Sequence, residues 1–152
     1  MRQWQLGLGM GVALALGGCA RPYDMQMPTS FRAYDESRPL KGITPDGVML
    51  KVRTVDNYPK GSLEFWTEAM SEHLVRQGYA LSSKRCFKTA SSLAGCRLDF
   101  LLPHGSQDWV LSETVFVDAD NIHLVEAAGP YDRFSKFDQE LQQALLTFKL
   151  SG

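Results

Sequence analysis

Residues 80–102, ALSSKRCFKTASSLAGCRLDFLL, decide how the chain is read. Two extended runs flank a small-residue stretch around Ser91, and in the second run Leu98, Phe100 and Leu102 alternate with Arg97 and Asp99. A period of two is the pattern of a strand with one better-buried face. The linking stretch is too short for the crossover that parallel strands need, so the runs are predicted to pair as an antiparallel hairpin. In that hairpin Cys86 and Cys96 would face each other.

The same period continues towards the C-terminus. Asp108–Val117 and Ile122–Ala127 read as strands, and the connections PHGSQ and DADN are again short, so four neighbouring strands form a meander. The chain then turns helical in SKFDQELQQALLTF, where Ser135 and Asp138 make a capping box and Phe137, Leu141, Ala144, Leu145 and Phe148 form the apolar stripe. On the N-terminal side, VMLKVRTV alternates Val48, Leu50 and Val52 with Lys51 and Arg53, a half-buried strand entered through the turn TPDG. A helix is predicted over Leu63–Gln77, capped by Ser62 and closed by Gly78. Trp66, Met70 and Leu74 form its stripe, widened by Phe65 and Ala69, and Glu64, Glu68 and Glu72 line a solvated face. An antiparallel sheet with two main helices is an α+β layered domain, placed at residues 30–152.

The N-terminus has a different logic. Arg2 gives a positive start, Trp4 to Leu16 an apolar middle, and Gly17-Gly18 the small residues next to a processing site, so residues 1–18 read as an export signal. The run is short for a membrane-spanning helix, which needs roughly 20 apolar residues. Its end, Leu16-Gly17-Gly18-Cys19, resembles the lipobox of bacterial lipoproteins, departing only at Gly17. That resemblance implies cleavage before Cys19 and attachment of lipid to its thiol, with two or more acyl chains anchoring the protein stably to a bilayer. Ala20 stands where such proteins carry an inner-membrane retention Asp, which implies the outer membrane, facing the periplasm. An ordinary secretory signal with an incidental cysteine is the alternative. Residues 19–29, including ARPYDMQMPT, with two prolines and no period, are expected to be a lipidated N-terminus and tether.

Removing residues 1–18 leaves 134 residues, enough for one domain, with 15 Lys and Arg against 17 Asp and Glu. No basic stripe is present to neutralise a phosphate backbone, so nucleic acid is excluded as a partner. In an oxidising compartment Cys86 and Cys96 are expected to form a disulfide. Free buried thiols and a metal pair remain alternatives, the latter disfavoured because the spacing is unlike the usual short Cys-x-x-Cys ligand pairs.

The order of elements and several local patterns resemble the PsbP-like fold, which includes DcrB-type envelope lipoproteins. The matching pieces are PDGVMLKV, the helix end LVRQGYAL, the strand CRLDFLL and the ending NIHLVEAAGPYDRFSKFDQELQQALLTFKL. The resemblance spans roughly residues 30–150 and implies a final helix packed across the sheet and a non-catalytic binding or assembly-supporting role.

Chemistry is sparse. His73 lies on the first helix and His123 alternates to the face opposite Ile122 and Leu124, while His104 lies in a loop near Ser106 and Asp108. A triad demands a preorganised nucleophile, base and orienting group, which proximity in a loop does not supply. No metal motif and no phosphate-cradling glycine loop is present, and Asp118–Asn121 fits a hairpin turn better than a calcium site, so no cofactor is expected. Trp109 and Tyr131 are the aromatic candidates for an interface, with core packing as the alternative for each. The expectation is a non-catalytic interaction module of the cell envelope, joined to the membrane through Cys19 and docking on an envelope protein. A small-ligand carrier or hydrolase-like enzyme using a cleft between sheet and helices is the alternative.

Overall fold

In the computed structural model, residues 21–34 and 40–152 are described, and residues 1–20, where the export signal and lipobox are expected, lie outside them. The chain runs through β1 (Tyr23–Asp24), β2 (Arg32–Ala33), β3 (Lys41–Ile43), β4 (Met49–Asp56), α1 (Leu63–Arg76), β5 (Ala80–Lys88), β6 (Ala94–His104), β7 (Gln107–Val117) and β8 (Asn121–Pro130). It ends in α2 (Tyr131–Phe134), a 3-10 turn (Ser135–Phe137), α3 (Asp138–Leu145) and β9 (Lys149–Leu150).

Strands β2 to β8 form one antiparallel sheet in the order β2-β3-β4-β8-β7-β6-β5, and β1 pairs with β9 in a separate ribbon. The meander is the β8-β7-β6-β5 half, with Cys86 opposite Cys96 and their sulfurs bonded. Local chemistry sets the boundaries. Gly47, at φ 90°, closes the turn before β4 by donating its N–H to Thr44 O at 3.0 Å. Ser62 Oγ caps α1 by accepting from Phe65 N–H at 3.1 Å, and Gly78, at φ 97°, ends it in the left-handed region that L side chains avoid.

Both sheet faces carry helices. One carries α1, which packs Leu63, Trp66 and Met70 against Val115, Ile122 and Leu124. The other carries α2, α3 and the N-terminal segment, with Val48, Leu50, Val52, Phe116 and Val125 meeting Phe134, Leu141, Leu145 and Phe148. Phe148 stacks on Phe116 with ring centroids 4.1 Å apart and on Tyr23 at 5.5 Å.

Four expectations need correction. The segment 19–29 is not a tether along its described part: Tyr23 and Met25 are buried, and Ser151 N–H donates to Pro22 O at 3.0 Å. The domain therefore starts at about Pro22 rather than Ser30, because the apolar side chains of the segment find a partner at the other end of the chain. Second, Ser135 and Asp138 form no capping box; Ser135 Oγ donates to Asp132 O, and the Asp138 carboxylate is engaged by Arg97. Third, Phe65 lies outside the α1 stripe, exposed and set edge-on to Trp66. Fourth, the Arg97 and Asp99 face of β6 is not the wetter one: Arg97 is fully buried, since α3 covers it and supplies partners for it.

Candidate functional site

Alternation along β7 sends Trp109, Leu111, Glu113, Val115 and Val117 to the α1 face. Register adds Ala128, Glu126, Leu124 and Ile122 from β8 and Met49, Lys51, Arg53 and Val55 from β4. Helix α1 contacts β5, β6 and β7, while its contacts with β4 are too few to cover that strand, so much of the β4 side of this face is open. Met49 and Val55 are accordingly 45% and 40% exposed.

Two apolar hollows lie on this face. One, of about 270 Å³, runs beside α1 between Trp66, Ala69 and Met70 on the helix and Val115, Ile122 and Leu124 on the sheet. The other, of about 200 Å³, lies beyond the helix end and is lined by Tyr79, Leu102, His104, Trp109, Leu111 and Ala128. Between the levels of the two hollows stands a charged rung. Glu126 accepts a bidentate pair from Arg53, Nε at 3.0 Å and Nη2 at 2.9 Å, with Lys51 Nζ at 3.7 Å. Glu113 stands directly across from Glu126 and is 5% exposed.

That burial, with the Glu126 charge and a hydrogen bond to it, pushes the Glu113 carboxyl up to about 9. Raised that far, Glu113 is a neutral acid at neutral pH, while Arg53 holds Glu126 in the bidentate pair beside it. Among the described residues, Glu113 Oε2 and Trp109 Nε1 are buried with no hydrogen-bond partner. Both belong to the α1 face, so its buried floor keeps polar capacity that the fold does not use.

A second polar cluster lies on the opposite face. Arg97 Nε donates to Asp99 Oδ1 and to Ser112 Oγ, each at 2.9 Å, and Nη2 reaches Asp138 on α3. Asp99 also accepts from Ser83 and Arg85. A hollow of about 390 Å³ beside it is lined by Asp99, Tyr131, Phe134 and Asp138. Arg97, Asp99, Arg85 and Asp138 are all paired, and together they tie α3 to the sheet, which marks a structural role.

The histidines are dispersed. His123 is fully buried, its Nδ1 3.0 Å from Thr54 Oγ1 and its Nε2 2.9 Å from Asp118 Oδ2, with Tyr23 and Phe148 against its ring. Desolvation opposes the charge on Asp118, but hydrogen bonds from His123 and from the backbone N–H groups of Asp120 and Asn121 outweigh it and hold the carboxyl below its usual range. Asp118–Asn121 is thus the hairpin turn expected of it. His73 contacts Gln77 Nε2 at 3.1 Å. His104 packs edge-on to Trp109 at 5.8 Å, and it lies at the end of β6 paired with Gln107 rather than in a constellation with Ser106 and Asp108.

Of the two aromatic candidates, Trp109 lines the α1-face hollow, whereas Tyr131 is 57% exposed at the hollow on the opposite face, so the two do not form one patch. Cys19 lies outside the described residues. The charged rung of Lys51, Arg53, Glu113 and Glu126 was missed from sequence. Its signal was present in Glu113, which falls in phase with Trp109, Leu111, Val115 and Val117 and so carries an acid on an apolar strand face.

No protein-family model and no curated protein matches the chain. Solved structures do. LpqN of Mycobacterium tuberculosis, involved in cell envelope biogenesis, superposes with a TM-score of 0.66 at 11% identity, covering 86% of this chain and 83% of its own. A Pseudomonas aeruginosa protein of unknown function, PA94, gives 0.62 at 10% identity, covering 80% and 98%. The PsbP of the cyanobacterium Synechocystis, CyanoP, gives 0.57 at 12% identity, covering 86% and 87%. At these identities the likeness is one of fold, and the fold of this chain is PsbP-like.

Proposed function

We propose that the protein is a lipid-anchored component of the bacterial envelope, exported by residues 1–18, attached through Cys19, and acting as a non-catalytic module that binds an envelope protein with its α1 face. The observation that carries the reading is the uncovered β4 side of that face. It places exposed Met49 and Val55 next to two apolar hollows, and apolar surface gathered in one place marks an interaction site more often than a bare surface. The envelope location rests on the lipobox resemblance, and a described envelope protein of the same fold is in keeping with it. The outer membrane follows from Ala20 by the same resemblance.

A small-ligand carrier is the second reading, favoured by the hollow at Trp109 and its unused indole N–H. Purification of the tagged protein from detergent-solubilised envelopes separates the two. A stoichiometric protein partner supports the module, a lone protein carrying a small molecule supports the carrier, and a lone protein carrying nothing refutes both.

A further inference from the structure

The packed N-terminal segment limits how far the domain can stand from its anchor. Pro22 O accepts from Ser151 N–H, Tyr23 pairs with Leu150 and stacks on Phe148, and Lys149 Nζ is 3.5 Å from Asp24. The chain is therefore committed to the fold by Pro22. From Cys19 to Pro22 are three residues, which reach at most about 11 Å even when fully extended.

The ribbon also sits at one end of the sheet. Phe148 stacks on Phe116 near the end of β7 and contacts His123 near the start of β8, and Ala90 N–H of the β5–β6 hairpin donates to Leu146 O. Trp109 is seven residues back along β7 from Phe116, about 24 Å away at strand rise, and points to the other face. The Trp109 hollow and the anchor are thus displaced from each other both along the strands and across the sheet.

From this geometry we infer that the β1–β9 ribbon and the adjoining β5–β6 hairpin lie against the headgroups of the bilayer that holds Cys19, and that the Trp109 hollow faces away from it. The inference rests on lipidation of Cys19, as proposed above. The surface partner at the ribbon end is lipid, and a protein partner that uses the Trp109 hollow must approach from the side opposite the membrane. A free tether over the whole of residues 19–29 would have left orientation open; three residues do not.

The experiment uses the full lipidated chain in vesicles of phosphatidylethanolamine and phosphatidylglycerol, with a photoreactive side chain placed at Leu150, at Lys88 or at Met49. Leu150 and Lys88 mark the ribbon end on separate elements, so a folding failure of one leaves the other informative. Lipid adducts at both ribbon-end positions, roughly fivefold or more above Met49, are expected. Inserting about ten Gly and Ser residues between Ala20 and Arg21 adds up to about 35 Å of reach and should bring the three positions level. Equal labelling in the uninserted protein overturns the orientation while leaving lipidation intact. Protein that washes off the vesicles, as Cys19→Ser should, overturns the lipidation reading and the orientation with it.

Discussion

Replacing Glu113 by Gln should make the domain more stable at neutral pH. The native carboxyl, at about 9, stays protonated at pH values where the unfolded chain, at 4.5, is ionised. A raised carboxyl contributes its full stability below the unfolded value and loses it as pH climbs towards the folded one. At about 1.4 kcal/mol per pH unit, a single such group costs the native state about 3 kcal/mol by pH 7. The groups facing it are Glu126, Arg53 and Lys51, and Glu126 already carries the charge that Arg53 neutralises. The substituted amide would be neutral at every pH, would keep an N–H to donate to Glu126, and would fill the same volume. The gain expected at pH 7 is about 1 to 3 kcal/mol, the lower end allowing for relaxation around a coupled pair. Urea unfolding of both proteins at about pH 5, 7 and 8.5 measures it, spanning the window between the unfolded and folded values. The wild-type stability should fall across that series relative to Glu113→Gln, and the two should converge at the acid end. Parallel pH profiles would show that Glu113 is ionised in the fold, refuting the assignment of the proton.

Other perturbations test other parts of the fold. Phe148→Ala empties the stack between Phe116 and Tyr23 and should cost about 3 to 5 kcal/mol in chemical denaturation, with early hydrogen exchange at Tyr23 and Asp24 as the ribbon detaches. Arg97→Ala leaves Asp99 facing Asp138 without the buried guanidinium between them and should cost about 3 to 5 kcal/mol, with α3 loosening first; a loss below about 1 kcal/mol would contradict the clamp. Asp118→Asn should remove acid sensitivity below about pH 4, because a depressed carboxyl stabilises only above its unfolded value and that stability is lost as pH falls; an unchanged acid transition would count against the Asp118 to His123 contact.

What was legible in the chain followed from how local each signal is. Alternation along 96–102 and 108–117 is written in neighbouring residues, so the meander and its Cys86 to Cys96 register emerged without knowledge of the rest. The Ser62 cap and the turn at Gly47 are equally local. The burial of Tyr23 and Met25 was not, because their neighbours arrive from the far end of the chain and two prolines disguise the segment as a linker. Arg97 looked solvated for a related reason: the groups that accept its N–H bonds come from two strands and a helix, and no window of sequence gathers them. Glu113 lies between these cases. Its phase with four apolar residues put it on the sheet's inner side, but the burial that chiefly keeps it neutral depends on the packing of the whole face, and the Arg53 that pairs with Glu126 comes from β4, a long-range pairing.

Whether the α1 face is the working surface of an envelope-bound module is decided by comparing the tagged wild type with two variants. Met49→Lys sets a charge beside the apolar surface at an exposed position outside the core, and Tyr131→Ala trims the opposite face. All three proteins should melt alike. Wild type and Tyr131→Ala should retain a stoichiometric envelope protein through purification, and Met49→Lys should lose it by roughly tenfold or more. Full retention by Met49→Lys together with loss from Tyr131→Ala would place the working surface on the other side of the sheet and overturn the assignment.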